Sequence, residues 1–445
     1  MTSDATPPPP SGEPVLSFFV ESTLADLTSQ ARKRLLERMP EDAPDLVLRV
    51  REILEDVRAR GDQALLDMAR RFDSVEMNAV EVPADRMDRA AADLDPTVRR
   101  ALTRAAGNIR EFHAAQLPQD VTVETEPGVR VTRRWTPLRS VGVYAPGGLA
   151  AYPSSVLMGV VPARAAGVQE VVVCSPPGPS GFPPDAVLAA CALAGATRLF
   201  AIGGAGAVAA MTWGTASVPA VDAIVGPGNR WVTEAKRQVA GDIVIDAPAG
   251  PSEVVVLADG NADPDLVAAE LLAQAEHDPD AACVLVTTSA SIAETVRKAL
   301  AVRLQWAPRR LVAAQAFARS GALLVSDNLD EAVSFIQSYA PEHLCIMTAD
   351  AEGVASRFTT AGTVFIGAWA SVAFGDYLTG ANHVLPTSGR ARAFSGLSAH
   401  HFLRSFTVQE VTREGAAAMA EDVALLADTE RLPAHGAAAL LRIDQ

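Results

Sequence analysis

The groups best suited to chemistry stand in four short stretches of the chain. In Leu272-Ala-Gln274-Ala-Glu276-His277-Asp278-Pro279, the three-residue spacing puts Gln274 and His277 on one face of a helix's final turn. An amide oxygen beside an imidazole offers half of a zinc shell, whose other half must come from elsewhere; the same spacing suits a solvated helix end. Glu342-His343, within Tyr339-Ala-Pro-Glu-His-Leu, stands where a strand begins. A carboxyl and an imidazole there can both move protons near neutral pH, although a loop pair of no function has the same look. The stretch from Gly375-Asp376 to His383 and Pro386 is too polar and glycine-rich for a core element, which marks a binding loop. Its carboxylate and its imidazole are both candidates to complete the shell. A fourth candidate, His435, stands in the tail Glu430-Arg-Leu-Pro-Ala-His435. His113 reads as a helix-surface residue, and His400 and His401 as part of a surface segment.

The elements that must position these groups follow from apolar periodicity. Asp263-Pro264 reads as an N-cap followed by proline in the first turn, and Asp278-Pro279 closes that helix. From about residue 21 to 117 apolar residues recur at three- and four-residue steps, a helical pattern. From Ser140 the period changes. Strands are predicted at 141–144, 171–174, 199–202, 223–225 and 243–246, with helices around 154–166, 185–194, 207–212 and 231–239 between them. After a seam at residues 247–252 the alternation restarts, with strands at 254–258, 283–287, 323–326, 343–347 and 363–366. Helices near 266–277, 292–303, 329–339 and 351–358 separate these, and another is predicted from 412 to 427. The expected class is therefore α/β, with two duplicated Rossmann-like parallel-sheet units and small N-terminal and C-terminal helical segments. The expected divisions are a disordered proline-rich tail at 1–20, a helical region at 21–140 packing on the second unit, units at 141–251 and 252–390, and a helical segment at 391–445.

A chain of 445 residues with a net charge of -15 has room for several domains and repels nucleic acid and anionic membranes alike. Its four cysteines, Cys174, Cys191, Cys283 and Cys345, lie scattered in apolar runs and read as small buried hydrophobes. The first residues lack the basic and apolar regions of a signal peptide, and no apolar run is long enough to span a bilayer. A cytoplasmic enzyme is the expectation.

Glycine-bearing turns follow several strands of the first unit: Pro146-Gly-Gly148, Gly203-Gly-Ala-Gly206, Gly226-Pro-Gly-Asn229 and Ala249-Gly-Pro-Ser252. Such turns let backbone amides approach a phosphate. Gly204-Ala-Gly206-Ala-Val-Ala209, with Asp222 downstream, spells the dinucleotide fingerprint, but it follows the third strand of its unit where the fingerprint belongs on the first. The match reads as coincidence, and the nucleotide site as spread over several turns.

Taken in order, Val141-Gly-Val-Tyr-Ala-Pro-Gly-Gly148, Gly226-Pro-Gly-Asn229, Val232-Thr-Glu-Ala-Lys-Arg237, Ala249-Gly-Pro-Ser-Glu253 and Gln274-Ala-Glu-His277 make a series. Ala340-Pro-Glu-His343, Gly375-Asp-Tyr377, Asn382-His-Val-Leu-Pro-Thr387 and Leu432-Pro-Ala-His435 continue it. From roughly Asp45 to Ala438 the chain resembles the histidinol dehydrogenase family. The resemblance implies an NAD-dependent, zinc-containing homodimer that oxidises L-histidinol through L-histidinaldehyde to L-histidine, the last step of histidine biosynthesis. It implies zinc ligands at Gln274, His277, Asp376 and His435, the last supplied by the partner subunit from a swapped C-terminal segment. Glu342 and His343 would be the acid/base pair, with His343 taking the hydroxyl proton and Glu342 activating water. Ser252, His383 and Glu430 would contact substrate, alongside the zinc ligands and His343. In the first unit, Tyr144, Asn229 and the turn at Gly206 would meet NAD. Where the family usually carries a glutamine that contacts NAD, this chain has Gly206, leaving only backbone there. A relative on the same scaffold that oxidises another polar alcohol, such as a sulfonated diol, is the alternative; a zinc hydrolase would leave the glycine turns without a role.

Overall fold

The computed structural model describes residues 15–38, 44–147, 151–247 and 250–443. Two six-stranded sheets carry the fold, and each keeps the strand order 3-2-1-4-5 over its own five consecutive strands. In the first sheet Ser140–Tyr144 lies at the centre, between Glu170–Ser175 and Ala223–Val225. Arg198–Ala201 and Val244–Ile245 flank these, and Glu81–Val82 adds an antiparallel edge. In the second sheet Glu253–Ala258 lies between Ala282–Thr287 and His343–Met347, with Ala322–Val325 and Thr363–Ile366 outside them. All ten of these strands are parallel within their sheets. The central strands read as nearly unbroken Val, Leu, Ile and Cys because helices cover both faces, so both rows of side chains are buried. The two Rossmann-like units expected from the alternation are present.

Three expectations about the flanking regions need correction. The described part of the 1–20 tail is built into the second unit: Phe18 packs on Phe317 with ring centroids 5.3 Å apart, and Val20–Thr23 pairs in parallel with Ala322–Val325. Residues 1–14 lie outside the described residues. This strand, the helix Ser29–Leu36 and Arg38 after it join the second unit, and Asn108 reaches it by donating to the Leu378 carbonyl at 2.6 Å. The helices Pro44–Arg60, Ala84–Asp93 and Pro96–Ala114 pack on the first, through Gly204–Trp213, Asp185–Ala194 and Pro153–Ala165 respectively. Apolar stripes fit any facing helix, so periodicity could not choose between the two units. Third, neither flank is wholly helical. Val121–Glu126, Val129–Pro137 and Leu403–Val411 form a separate three-stranded antiparallel sheet. The strand at 403–411 ties the C-terminal segment to the N-terminal region.

Beyond that sheet, Arg413–Thr429 and Pro433–Leu440 form a helical hairpin whose principal packing is on itself. Leu425 and Leu426 are 66% and 65% exposed there, an apolar surface uncovered by this chain. No helix among the described residues is long and apolar enough to cross a membrane.

Candidate active site

The candidate groups gather between the units, where the carboxyl ends of the first sheet's strands meet the amino ends of the second's. Glu253 and His343 are the first residues of neighbouring strands, with Val254 in register with His343. The helix Pro264–Ala275 runs back against these strands and delivers Gln274 and His277 to the same edge. Its start is as read: Asp263 caps it, accepting the Asp265 N–H at 2.8 Å, and Pro264 occupies the first turn. It ends at Ala275, so His277 lies just past the helix, its N–H held by the Gln274 carbonyl at 3.2 Å. Gln274 is buried and His277 is exposed. Asp376 comes from the short helix Val372–Tyr377, seated against Phe365 at Gly375, where an added Cβ would stand 2.7 Å from the ring.

Glu342 and His343 are 4% and 5% exposed. His343 Nδ1 lies 2.9 Å from the Glu253 carbonyl oxygen, which can only accept. Nδ1 therefore carries the proton, and Nε2 keeps its lone pair. That nitrogen is buried with no hydrogen-bond partner, 3.9 Å from Asp376 Oδ1. Burial lowers the His343 pKa to about 4, against the opposing hydrogen bond to Glu253, and nearby His277 and His383 add to the fall. The imidazole is thus neutral and able to accept a proton. Burial drives the Glu342 carboxyl the other way, well above the usual range, although it accepts the Glu253 N–H at 2.8 Å. One group is poised as a base, its neighbour as an acid.

The metal candidates pass a partial test. Burial, with Glu270 adding, lifts the Asp376 carboxyl to about 7, a cost that a nearby cation would relieve. The Gln274 amide nitrogen is buried without a partner, and exchanging the two ends of the amide would aim its oxygen there instead. Among the described residues no three His, Cys, Asp or Glu converge closely enough to hold a metal ion. Gln274, His277 and Asp376 offer an O, N, O set that lacks a fourth ligand. His435 and Glu430 stand exposed on the C-terminal hairpin and do not line the cleft. That cleft, of about 460 Å³, reaches His277 and Asp376 from the second unit and Tyr152, Ser154 and Met158 from the first.

His383 is half-buried, and burial, then His277, lowers its pKa to about 4. Its neighbour Asn382 donates to the Met158 carbonyl at 2.8 Å and stands 3.4 Å from His113 Nε2. His113 is fully buried, with Nδ1 on the Ile109 carbonyl at 2.8 Å, so the surface reading of that residue is corrected. His401 is half-buried too, accepting the Ser398 N–H at 3.1 Å, whereas His400 is exposed. Ser252, half-buried, precedes Glu253 at the mouth of the central strand.

At the first sheet's carboxyl edge, Gly226 crosses over the end of the central strand. Its φ is 114°, and a Cβ there would stand 2.2 Å from the Tyr144 carbonyl oxygen. Buried Lys236 and Asp246 pair with each other and hold the turn, through the Gly226 carbonyl at 3.0 Å and its N–H at 2.7 Å. Asn229 caps the following helix, accepting the Trp231 N–H at 3.0 Å. Tyr144 is buried, and its hydroxyl accepts the Gly204 N–H at 3.1 Å, so the phenol shapes the Gly203–Gly204 turn from beneath. Gly206 faces away from that edge: a Cβ would meet Met68 Sδ at 3.0 Å and Leu65 at 3.4 Å. The fingerprint-like run does follow the third strand, and Asp222 holds the Arg139 and Ser140 amides, both at 3.0 Å, at the sheet's opposite edge. Gly148 and Ala249, in two of the four turns, lie outside the described residues. All four cysteines are buried and free, and burial raises the thiols of Cys174, Cys191 and Cys283.

Sequence reasoning gave no role to Glu253 or to Arg38. Arg38 Nε and Nη2 meet the Glu253 carboxylate at 2.6 and 2.8 Å, behind the Glu342–His343 pair. Glu253 could be seen only as part of the Gly-Pro-Ser-Glu run, and nothing in the sequence marks Arg38.

A family model described as histidinol dehydrogenase matches residues 36–443. A histidinol dehydrogenase of Halobacterium salinarum is 48% identical over 424 residues, covering 95% of this chain and 98% of the relative. One of Methanothermobacter thermautotrophicus is 46% identical over 401 residues, covering 90% and 94%. A crystal structure of histidinol dehydrogenase from Elizabethkingia anophelis superposes with a TM-score of 0.90 at 35% identity, covering 96% of this chain and 99% of that one.

Proposed function

The chain belongs to the histidinol dehydrogenase family, and we propose that it oxidises L-histidinol to L-histidine, consuming two NAD and one water and releasing two NADH and three protons per turnover. The observation that carries the reading is His343 Nε2: a lone pair buried without a partner, beside a carboxyl whose burial favours its protonated form. His343 Nε2 takes the hydroxyl proton as the alcohol carbon is oxidised, and its Nδ1–H stays anchored on Glu253. Glu342, which burial holds protonated, gives its proton to the aldehyde oxygen as water adds, the proton released by that water returns to its carboxylate, and the hydrate is oxidised in a second round at the same place. Gln274, His277 and Asp376 would hold zinc, which supplies a fixed anchor for the substrate's imidazole and amine. NAD supplies the hydride acceptor at both stages, with its phosphates favoured by the glycine turns beside Tyr144 and Asn229. Ser252 and His383 line the substrate's approach.

The missing fourth ligand favours a homodimer. His435 and Glu430 sit on a hairpin with an uncovered apolar face, as expected of a segment that completes the site of a second copy. The test is stoichiometry: zinc-loaded protein given NAD and L-histidinol should form two NADH and one histidine per histidinol consumed. No NADH from histidinol, with turnover of another polar alcohol, would replace this substrate with that one.

A further inference from the structure

We infer that Arg38 and Glu253 are a positioning pair for the reaction, setting the orientation of both Glu342 and His343 from behind the substrate site. The inference rests on the acid/base roles proposed above. Glu253 touches both groups through its backbone: its N–H donates to Glu342 Oε2 at 2.8 Å and its carbonyl holds His343 Nδ1 at 2.9 Å. Its side chain, 2% exposed, gathers the Glu342 N–H at 3.2 Å and the Ser388 N–H at 3.1 Å on Oε1. A small rotation of this one residue would therefore move the carboxyl, the imidazole and the loop after His383 together.

Arg38 prevents that rotation. Its guanidinium grips both carboxylate oxygens, donates to the Tyr339 carbonyl at 2.9 Å, and lies 3.4 Å from the centroid of the Tyr339 ring. A planar fork clamped on a carboxylate and stacked on an aromatic face has very little rotational freedom. Stability alone does not account for the pair, because desolvating two charges roughly cancels their attraction and apolar residues would tether the segment as well. Alignment does account for it. The residue that supplies the clamp follows the helix Ser29–Leu36, so the N-terminal segment takes part in shaping the site.

The test uses the full-length zinc-loaded enzyme with NAD and L-histidinol. Arg38→Gln should lower kcat by about 10- to 100-fold, because misplacement of reacting groups by about 1 Å costs that much. KM for histidinol and bound zinc should stay within about two-fold, since neither is made by this pair. Arg38→Gln/Glu253→Gln, a neutral pair that can still hydrogen-bond, should recover most of the loss. Arg38→Lys keeps the charge without the fork and should lose about 3- to 10-fold in kcat at unchanged KM. Unchanged kcat in Arg38→Lys, or a double variant no better than Arg38→Gln, would overturn the inference. Glu342→Gln and His343→Gln run alongside separate the two levels. Should those keep full activity, the acid/base reading itself fails; should they lose it while the Arg38 variants do not, only the positioning role fails.

Discussion

His343 Nδ1 stands 2.9 Å from the carbonyl oxygen of Glu253, and this single contact fixes which ring nitrogen can act as a base. Nε2 is left with a lone pair and no partner, in a pocket dry enough to hold the pKa near about 4. A group so placed waits neutral with its acceptor site free, and a proton it takes from substrate is readily passed on. His343→Gln should lower kcat by about 10²- to 10⁴-fold, the usual worth of a general base, with zinc and NAD affinity retained. Steady-state kinetics with metal analysis checks this, and a loss confined to KM would contradict it.

Zinc binding should weaken as pH falls. The Asp376 carboxyl is lifted to about 7 by burial, so protons compete with the metal for it below that pH. Above about pH 7 the carboxylate is free to bind, and each unit below it should cost up to about ten-fold in affinity from this ligand. Competition titrations at pH 6 and pH 8 measure the difference, and Asp376→Asn should flatten it. Equal slopes in the two proteins would remove Asp376 from the shell.

His113 predicts a second pH effect, on folding. Burial lowers its pKa below the ordinary 6.5, so the unfolded chain binds the proton more tightly than the native one. Its contribution to stability is complete above about pH 6.5 and is lost progressively as pH falls through the unfolded and then the folded value. His113→Gln should be less stable than the parent at pH 8 yet lose less between pH 7 and pH 5. Denaturant unfolding at these pH values decides, and parallel curves would count against it.

Gly206 predicts a packing effect. A glutamine there would begin against Met68 Sδ and Leu65, so restoring the family's usual residue should destabilise by about 1–3 kcal/mol through overpacking. Met68→Ala should relieve the overpacking, and NAD affinity should stay unchanged in both proteins because a side chain at 206 points away from the strand ends. Calorimetric Tm and NAD titration of the single and double substitutions test this; tighter NAD binding by Gly206→Gln alone would contradict it.

Much of this architecture is legible in the chain because strand and helix leave different periods. The central parallel strands announce themselves as apolar runs since both faces are covered. Val121–Glu126 escapes because every one of its residues is exposed, leaving no buried row to read, although Pro127-Gly128 marks a turn. The helix Arg310–Ser320 is missed because its apolar stripe directly follows another's. At the site, Gln274, Glu342 and Asp376 are chemically conspicuous, but their meeting depends on strand order, which periodicity does not encode. Arg38 and Glu253 were invisible for a similar reason: 215 residues separate an ordinary arginine from an ordinary glutamate.

The most direct test of histidinol oxidation at a site shared between two copies is subunit mixing. His277→Ala protein and His435→Ala protein, each inactive alone, are mixed, allowed to exchange subunits, and assayed with zinc, NAD and L-histidinol. Random pairing makes half the dimers mixed, each with one intact site, so activity should return to about a quarter of the parent's. Histidine should form with two NADH per turnover. No recovery after demonstrated subunit exchange, or full activity of His435→Ala protein by itself, would contradict the shared site.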